Sequence, residues 1–206
     1  FLFHLQNLKF HLHNLVQLGF SVSFVPGNFD DAQEGRQRLE KNGIRVVSRP
    51  YTDSLEDYLQ EFGGAFQLCI VSRPDTADLY LDSVKLLCPN ALVLYDTVDL
   101  HFLRRERELR LTGVAPAPDS INQSELWAID RADGTIAVSE YDREVIQKKV
   151  PGSVVHVVSN IHETKPMERS FAERDGILFI GSFAHTPNVD AVLWFASDVL
   201  PIIHEW

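Results

Sequence analysis

Between Tyr95 and Arg105 the chain reads Tyr-Asp-Thr-Val-Asp-Leu-His-Phe-Leu-Arg-Arg, and here its residue types come closest to a reaction. An imidazole exchanges protons near neutral pH, a nearby carboxylate can fix which ring nitrogen carries the proton, and guanidinium groups meet anions. His101 and Asp99 are therefore the candidate catalytic pair. His101 would orient a substrate hydroxyl or stabilise developing charge, and Asp99 would hold its tautomer. Arg104, with Arg105 beside it, is the candidate contact for an anionic substrate or a phosphate. The run follows the apolar stretch Ala91–Tyr95, which places it at the carboxyl end of an expected parallel strand, where open α/β sheets hold their ligands. The same residues also have a purely structural reading. Asp96 and Asp99 would cap the next helix, His101 would pack on it, and the arginines would face water. Residue types alone weigh these two readings equally.

Two further places carry candidates. Ser72-Arg73-Pro74 follows another apolar stretch and reaches the same sheet edge, which makes Arg73 a second substrate contact, or else one half of a loop salt bridge. Near the end of the chain, Gly176-Ile-Leu-Phe-Ile-Gly181-Ser-Phe-Ala-His185-Thr-Pro187-Asn188 reads as a short buried strand over Ile177–Ile180. A glycine turn and a helix opening at Thr186 and Pro187 follow it. Strand, glycine and helix N-terminus together can receive an anion. Gly181, Ser182 and Asn188 are the candidates there, although many α/β units with this pattern bind nothing and His185 and Asn188 can simply shape the turn. No metal is implied. Asp96 and Asp99 are separated by two residues and so do not form an Asp-x-Asp pair, and neither a phosphate-binding Gly-x-x-x-x-Gly-Lys loop nor a Gly-x-Ser-x-Gly elbow occurs.

The elements that must position these residues alternate. Apolar runs predict strands at Ser21–Val25, Ile44–Ser48, Gln67–Ser72, Ala91–Tyr95, Gly134–Val138 and Val154–Val158. Helical spacing predicts helices over Phe1–Leu18, Gln33–Lys41, Ser54–Phe62, Asp75–Leu87, Leu100–Leu111, Ser120–Arg131 and Glu140–Lys149. A Pro- and Ala-rich loop spans Thr112–Pro118. Such alternation points to parallel βαβ units in a Rossmann-like α/β sheet with helices on both faces. Five of the strands, beginning with Ser21–Val25, are expected in one sheet. The chain has 206 residues, 45% of them hydrophobic, and a net charge of −10. That is enough for one good-sized domain and part of another. The acidic balance argues against a nucleic-acid partner. Cys69 and Cys88 sit in apolar contexts and read as separate reduced thiols, which fits a reducing, cytoplasmic setting. The polar stretch Glu163–Asp175 reads as a linker between residues 1–162 and 176–206. The final segment is too short to bury the apolar face of its helix alone, and Pro201 should end or kink that helix.

Several of these stretches resemble one family. Phe179-Ile-Gly181-Ser-Phe183, His185-x-Pro187-Asn188-x-Asp190-Ala191 and Trp194-Phe195 look like the opening of the nucleotide-sugar domain of GT-B glycosyltransferases, in particular glycosyltransferase family 4. Ala132-Asp133-Gly-Thr-Ile-Ala-Val-Ser139-Glu140 resembles the segment ahead of the interdomain hinge, and Asn160 is the clear remnant of the hinge motif. The resemblance implies an acceptor-side domain over 1–162 that lacks its first strand, and a donor domain that begins at 176 and continues beyond Trp206. It also implies a hexosyltransferase of carbohydrate biosynthesis, with the retaining chemistry that is the family pattern, working without a metal or other cofactor. Its partners would be a nucleotide-sugar donor and a carbohydrate, lipid-linked or protein acceptor, and peripheral membrane association is compatible with that role. In this reading His101 and Asp99 act in catalysis, Arg73 and Arg104 bind acceptor, Gly181, Ser182 and Asn188 bind donor, and the 206 residues alone are inactive. A GT-B-fold nucleotide-sugar epimerase and a non-catalytic Rossmann-like binding domain are the alternatives.

Overall fold

The computed structural model describes residues 11–27, 29, 33–112, 120–159, 169–184 and 186–204. The first ten residues of the opening helix, most of the loop to Pro118, Asn160, the first part of the linker and His185 lie outside them. The chain divides into two units, Phe1–His162 and Glu163–Trp206.

In the first unit, helix α1 (residues 11–17) ends at Gly19, whose φ of 88° is one that glycine adopts freely. Phe20 N donates to Leu15 O and Gly19 N to Val16 O, so the last carbonyls of the helix are satisfied in a Schellman closure. There follow β1 (Val22–Phe24), α2 (Gln33–Glu40), β2 (Ile44–Val46), α3 (Leu55–Phe62), β3 (Leu68–Ser72), α4 (Pro74–Leu87), β4 (Leu92–Asp96), α5 (His101–Thr112), α6 (Ser120–Arg131), β5 (Gly134–Ala137), α7 (Glu140–Lys149) and β6 (Val155–Val157). Local chemistry sets several of these boundaries. Ser54 caps α3 by accepting from Asp57 N, and Ser139 caps α7 by accepting from Asp142 N, both at 3.1 Å. Pro74 opens α4, where its missing N–H costs nothing.

Among the described residues all strand pairing is parallel, as expected for a Rossmann-like α/β fold, but the strands divide between two sheets. β3-β4-β5-β6 form one, and β1-β2 form another. This corrects the expectation that Ser21–Val25 shares a sheet with the later strands. Among the described residues its ladder partner is β2, with Val22 opposite Ile44 and Phe24 opposite Val46. Apolar patterning identifies a strand without saying which edge it joins. Side chains connect the two sheets instead. Tyr80 Oη donates to Gly27 O, Ser23 Oγ lies 3.4 Å from Tyr58 Oη, and Phe29 is buried with Leu55, Val71, Leu81 and Tyr95 in the core.

That core lies between one face of the four-stranded sheet and the helices. Val71, Val93, Tyr95 and Ala137 are buried together with Ala77, Leu81 and Val84 of α4, Ala128 and Ile129 of α6 and Ile146 of α7. Both cysteines are free, and Cys69 and Cys88 lie near enough for each thiol to influence the other. Burial, then the neighbouring Cys88, pushes the Cys69 thiol up to about 12. Asp133 ties the sheet to α4. Its carboxylate accepts from Val93 N at 2.8 Å and pairs with Lys85 at 2.6 Å.

The second unit contains a 3-10 turn (Phe171–Glu173), then α8 (Thr186–Trp194), a π turn (Phe195–Val199) and α9 (Leu200–His204). The π turn sits just ahead of Pro201, which has no N–H to offer Ser197, so the helix widens and continues. The strand expected over Ile177–Ile180 is absent, and this is a second correction. Those residues are irregular and exposed, Leu178 by 82%. A strand needs an edge to pair with, and among the described residues this unit has none. No helix among the described residues is long and apolar enough to cross a membrane.

Candidate functional site

The carboxyl ends of β3, β4 and β5 are bound to one another by a short polar network. Ser72 stands opposite Asp96 in the β3–β4 register, and Ser72 Oγ donates to Asp96 Oδ2 at 3.0 Å. Arg73 N donates to Asp96 O at 3.0 Å. One residue on, Thr97 is buried and gives both its N–H and its hydroxyl to Ile136 O. These bonds fix where the two loops leaving β3 and β4 begin.

Both loops then take costly backbone conformations. Arg73 has φ 78° and ψ 149°, a region that only glycine enters without strain. The following Pro74 bars Arg73 from the helical region. Val98 has φ 62°, and a β-branched residue there is a genuine outlier. It is the centre of a three-residue turn in which Asp99 N donates to Thr97 O at 2.7 Å, the strained form of the γ-turn. Asp96 Oδ1 supports it by accepting from Val98 N. Strain of this kind costs on the order of 1–3 kcal/mol per residue and persists only where the surroundings enforce it.

The γ-turn delivers the chain directly into α5, whose first residue is His101. Its Nδ1 lies 3.1 Å from Asp99 O, and its Nε2 lies 3.7 Å from Asp99 Oδ1. His101 is thus at the expected sheet edge with Asp99 beside it. It does not line an open cleft, however. Only 6% of it is exposed, because the first turn of α5 is pressed against α6. Asp99 serves His101 through its backbone carbonyl, while its carboxylate is taken by Arg104 Nη1 at 2.9 Å. Arg73 pairs with Asp75 at 3.3 Å. Both arginines are well exposed, and surface pairs of this type are worth little, so an incoming anion can replace either carboxylate.

The residue that sequence reasoning missed is Glu125 of α6. It is fully buried, and its two oxygens accept from His101 N at 3.2 Å and Phe102 N at 2.8 Å. It therefore caps α5 from a different helix, neutralising two orphan N–H groups with a carboxylate at the positive end of the helix dipole. Its Oε1 is also 3.5 Å from His101 Nδ1. The signal was in the sequence. Ser124, Glu125, Ala128 and Ile129 form the buried stripe of α6, so a carboxylate lies in line with core residues. Beneath this site Tyr95 Oη and Thr135 Oγ1 are buried without a hydrogen-bond partner. Burial, followed by the charges of Glu125, Asp96, Asp75 and Asp99, pushes the Tyr95 phenol upward.

In the second unit, Gly181, Ser182 and Asn188 do come together. Asn188 Nδ2 donates to Ser182 O at 3.0 Å, and Ser182 Oγ accepts from Ala184 N at 3.3 Å. A Cβ on Gly181 would lie 2.9 Å from Asn188 Nδ2 and 2.7 Å from Phe179 Cζ. Gly181 and Ser182 are exposed, and Asn188 is half-buried in the first turn of α8. Among the described residues, no group of three or more His, Cys, Asp or Glu side chains could hold a metal ion. No family model, curated protein or solved structure matches the chain.

Proposed function

We propose that this chain is the acceptor-side domain and the first donor-side segment of a GT-B glycosyltransferase, which moves a sugar from a nucleotide donor to an acceptor hydroxyl with retention and without a metal. The observation that carries this reading is the pair of strained turns, at Arg73 and Val98, side by side at the carboxyl ends of adjacent parallel strands. Strain held by a surrounding network belongs to sites where position matters more than stability. A histidine, two replaceable arginine–carboxylate pairs and a helix N-terminus converge on that edge. This set suits a neutral hydroxyl acceptor bearing or accompanied by an anionic group. The sequence resemblance supplies the reaction class.

One observation favours a second reading, a non-catalytic Rossmann-like domain: His101 is nearly closed to solvent. The two readings part in an assay of the protein that contains both domains, with UDP-, GDP- and ADP-sugars and a set of carbohydrate acceptors. Transfer in the parent and a fall of a hundredfold or more in kcat for His101→Ala, within the range of acid–base assistance, support the first reading. Turnover unchanged by that substitution removes His101 from the chemistry, and no turnover with any donor sinks the proposal. The 206 residues alone should show no binding of these sugars by calorimetry, since Gly181 and Ser182 are exposed and Asn188 is only half-buried. Micromolar affinity would contradict the division of labour between the domains.

A further inference from the structure

A neutral imidazole in water favours the proton on Nε2, yet the contacts of His101 favour the opposite. Nδ1 faces a backbone carbonyl, Asp99 O at 3.1 Å, which can only accept. A carboxylate oxygen of Glu125, fully buried, lies 3.5 Å from the same nitrogen. Both neighbours attract a proton to Nδ1, from closer range than the Asp99 carboxylate oxygen that stands 3.7 Å from Nε2, and a hydrogen bond made by one ring nitrogen fixes the role of the other. Glu125 acts twice in this arrangement. Through His101 N and Phe102 N it fixes the first turn of α5, and so the position of the ring relative to Asp99. Through its charge it biases the proton.

We infer that Glu125 is a positioning residue, which holds His101 as the Nδ1–H tautomer and leaves the Nε2 lone pair as a hydrogen-bond acceptor for a substrate hydroxyl. The identity of the ligand as a hydroxyl rests on the glycosyl-transfer reading; the tautomer does not. Asp99, assigned from the sequence to hold the tautomer with its carboxylate, does so with its main chain, and its carboxylate instead stands beside Nε2 at 3.7 Å. A hydroxyl-bearing ligand approaching this edge thus meets two acceptors and no competing donor on the ring.

The test is the protonation pattern of the ring, read from long-range proton–nitrogen NMR of the 206-residue chain labelled with 15N at histidine. It is recorded at a pH that keeps the rings neutral, and His101→Gln assigns the signals. The parent should show a protonated Nδ1 and a bare Nε2. In Glu125→Gln the amide can accept from only one of the two N–H groups and carries no charge, so the Nδ1–H form should fall from dominant to minor. Ser139→Ala, which removes the cap of α7 without touching α5, should leave the pattern as in the parent. This control distinguishes positioning from general loss of stability. A parent that already carries its proton on Nε2 overturns the inference, as does an Glu125→Gln pattern identical to the parent. If Glu125→Gln does not fold, Glu125→Asp keeps the charge but withdraws it by one methylene, and should still lower the Nδ1–H share; an unchanged share overturns the inference. No sugar takes part in the measurement, so failure of the transfer assay and failure of this assignment are separate results.

Discussion

At the scale of single residues, the cysteine pair shows how burial rather than sequence spacing decides chemistry. Cys69 and Cys88 read as unconnected thiols, and the fold sets them in contact while raising the Cys69 pKa to about 12 from 9.0. A raised thiol is an inert one, because the thiolate is the reactive form. An aromatic disulfide reagent at pH 8 should therefore leave both cysteines unmodified in the folded chain and titrate both in denaturant; rapid reaction of the native protein would contradict the raised thiols. The same shift has a consequence for stability. The unfolded chain surrenders the Cys69 proton as pH rises past about 9, while the folded chain keeps it until about 12. The contribution of this group is complete below pH 9 and is lost across that interval, so Cys69→Ala should flatten the alkaline fall of Tm. Asp133 supplies the opposite case. Its bonds to Lys85 and then to Val93 N hold the carboxyl below its ordinary range, so its contribution is present above that range and fades as pH drops through the lowered value. Asp133→Asn should reduce the acid-side slope and cost about 1 kcal/mol at neutral pH, since the pair is largely solvated.

At the scale of elements, the turns between β3 and α4 and between β4 and α5 were the part least legible beforehand. Strand and helix positions followed from period and capping, with Ser54, Ser139, Gly19 and Pro74 each placed where their chemistry requires. The edge position of His101 followed too, from the apolar run that precedes it. What did not follow was its burial, because that depends on Glu125, which is 24 positions away and reaches α5 only after α6 has docked. Nor did the strain follow. Neither Arg73 nor Val98 advertises a glycine-like backbone, and the network of Ser72, Asp96 and Thr97 that enforces it is tertiary. The γ-turn can be relieved directly. Val98→Gly removes a β-branched residue from φ 62° and should raise unfolding free energy by about 1 kcal/mol after the entropy of the glycine is subtracted. Chemical denaturation measures this, and destabilisation of the same size would show that Val98 is not strained. By contrast Glu125→Ala leaves two buried N–H groups without acceptors and should cost about 3 kcal/mol.

At the scale of the whole molecule, composition and alternation were sufficient for an α/β fold with parallel pairing, and insufficient for sheet order. The run Ser21–Val25 has the same apolar character as Gln67–Ser72, yet the two enter different sheets. The run Ile177–Ile180 has that character as well and enters none, because a strand is a property of a pair and the second unit offers no partner among its described residues. The division of the first unit into two ladders also implies that its parts do not come undone together. A two-stranded parallel ribbon is marginal by itself, and among the described residues β1-β2 is linked to the larger sheet through side chains such as Phe29, Tyr58 and Tyr80 rather than through ladder bonds. Native-state amide hydrogen exchange should register this as two tiers of protection. Amides of the small ribbon, Val47 N bonded to Phe24 O among them, should exchange through an opening that leaves the rest of the unit folded. Amides in β4, sandwiched between β3 and β5, should wait for global unfolding and respond to denaturant with its full slope. The ribbon would then be a separate cooperative unit, able to melt and re-form while the edge that carries His101 stays intact.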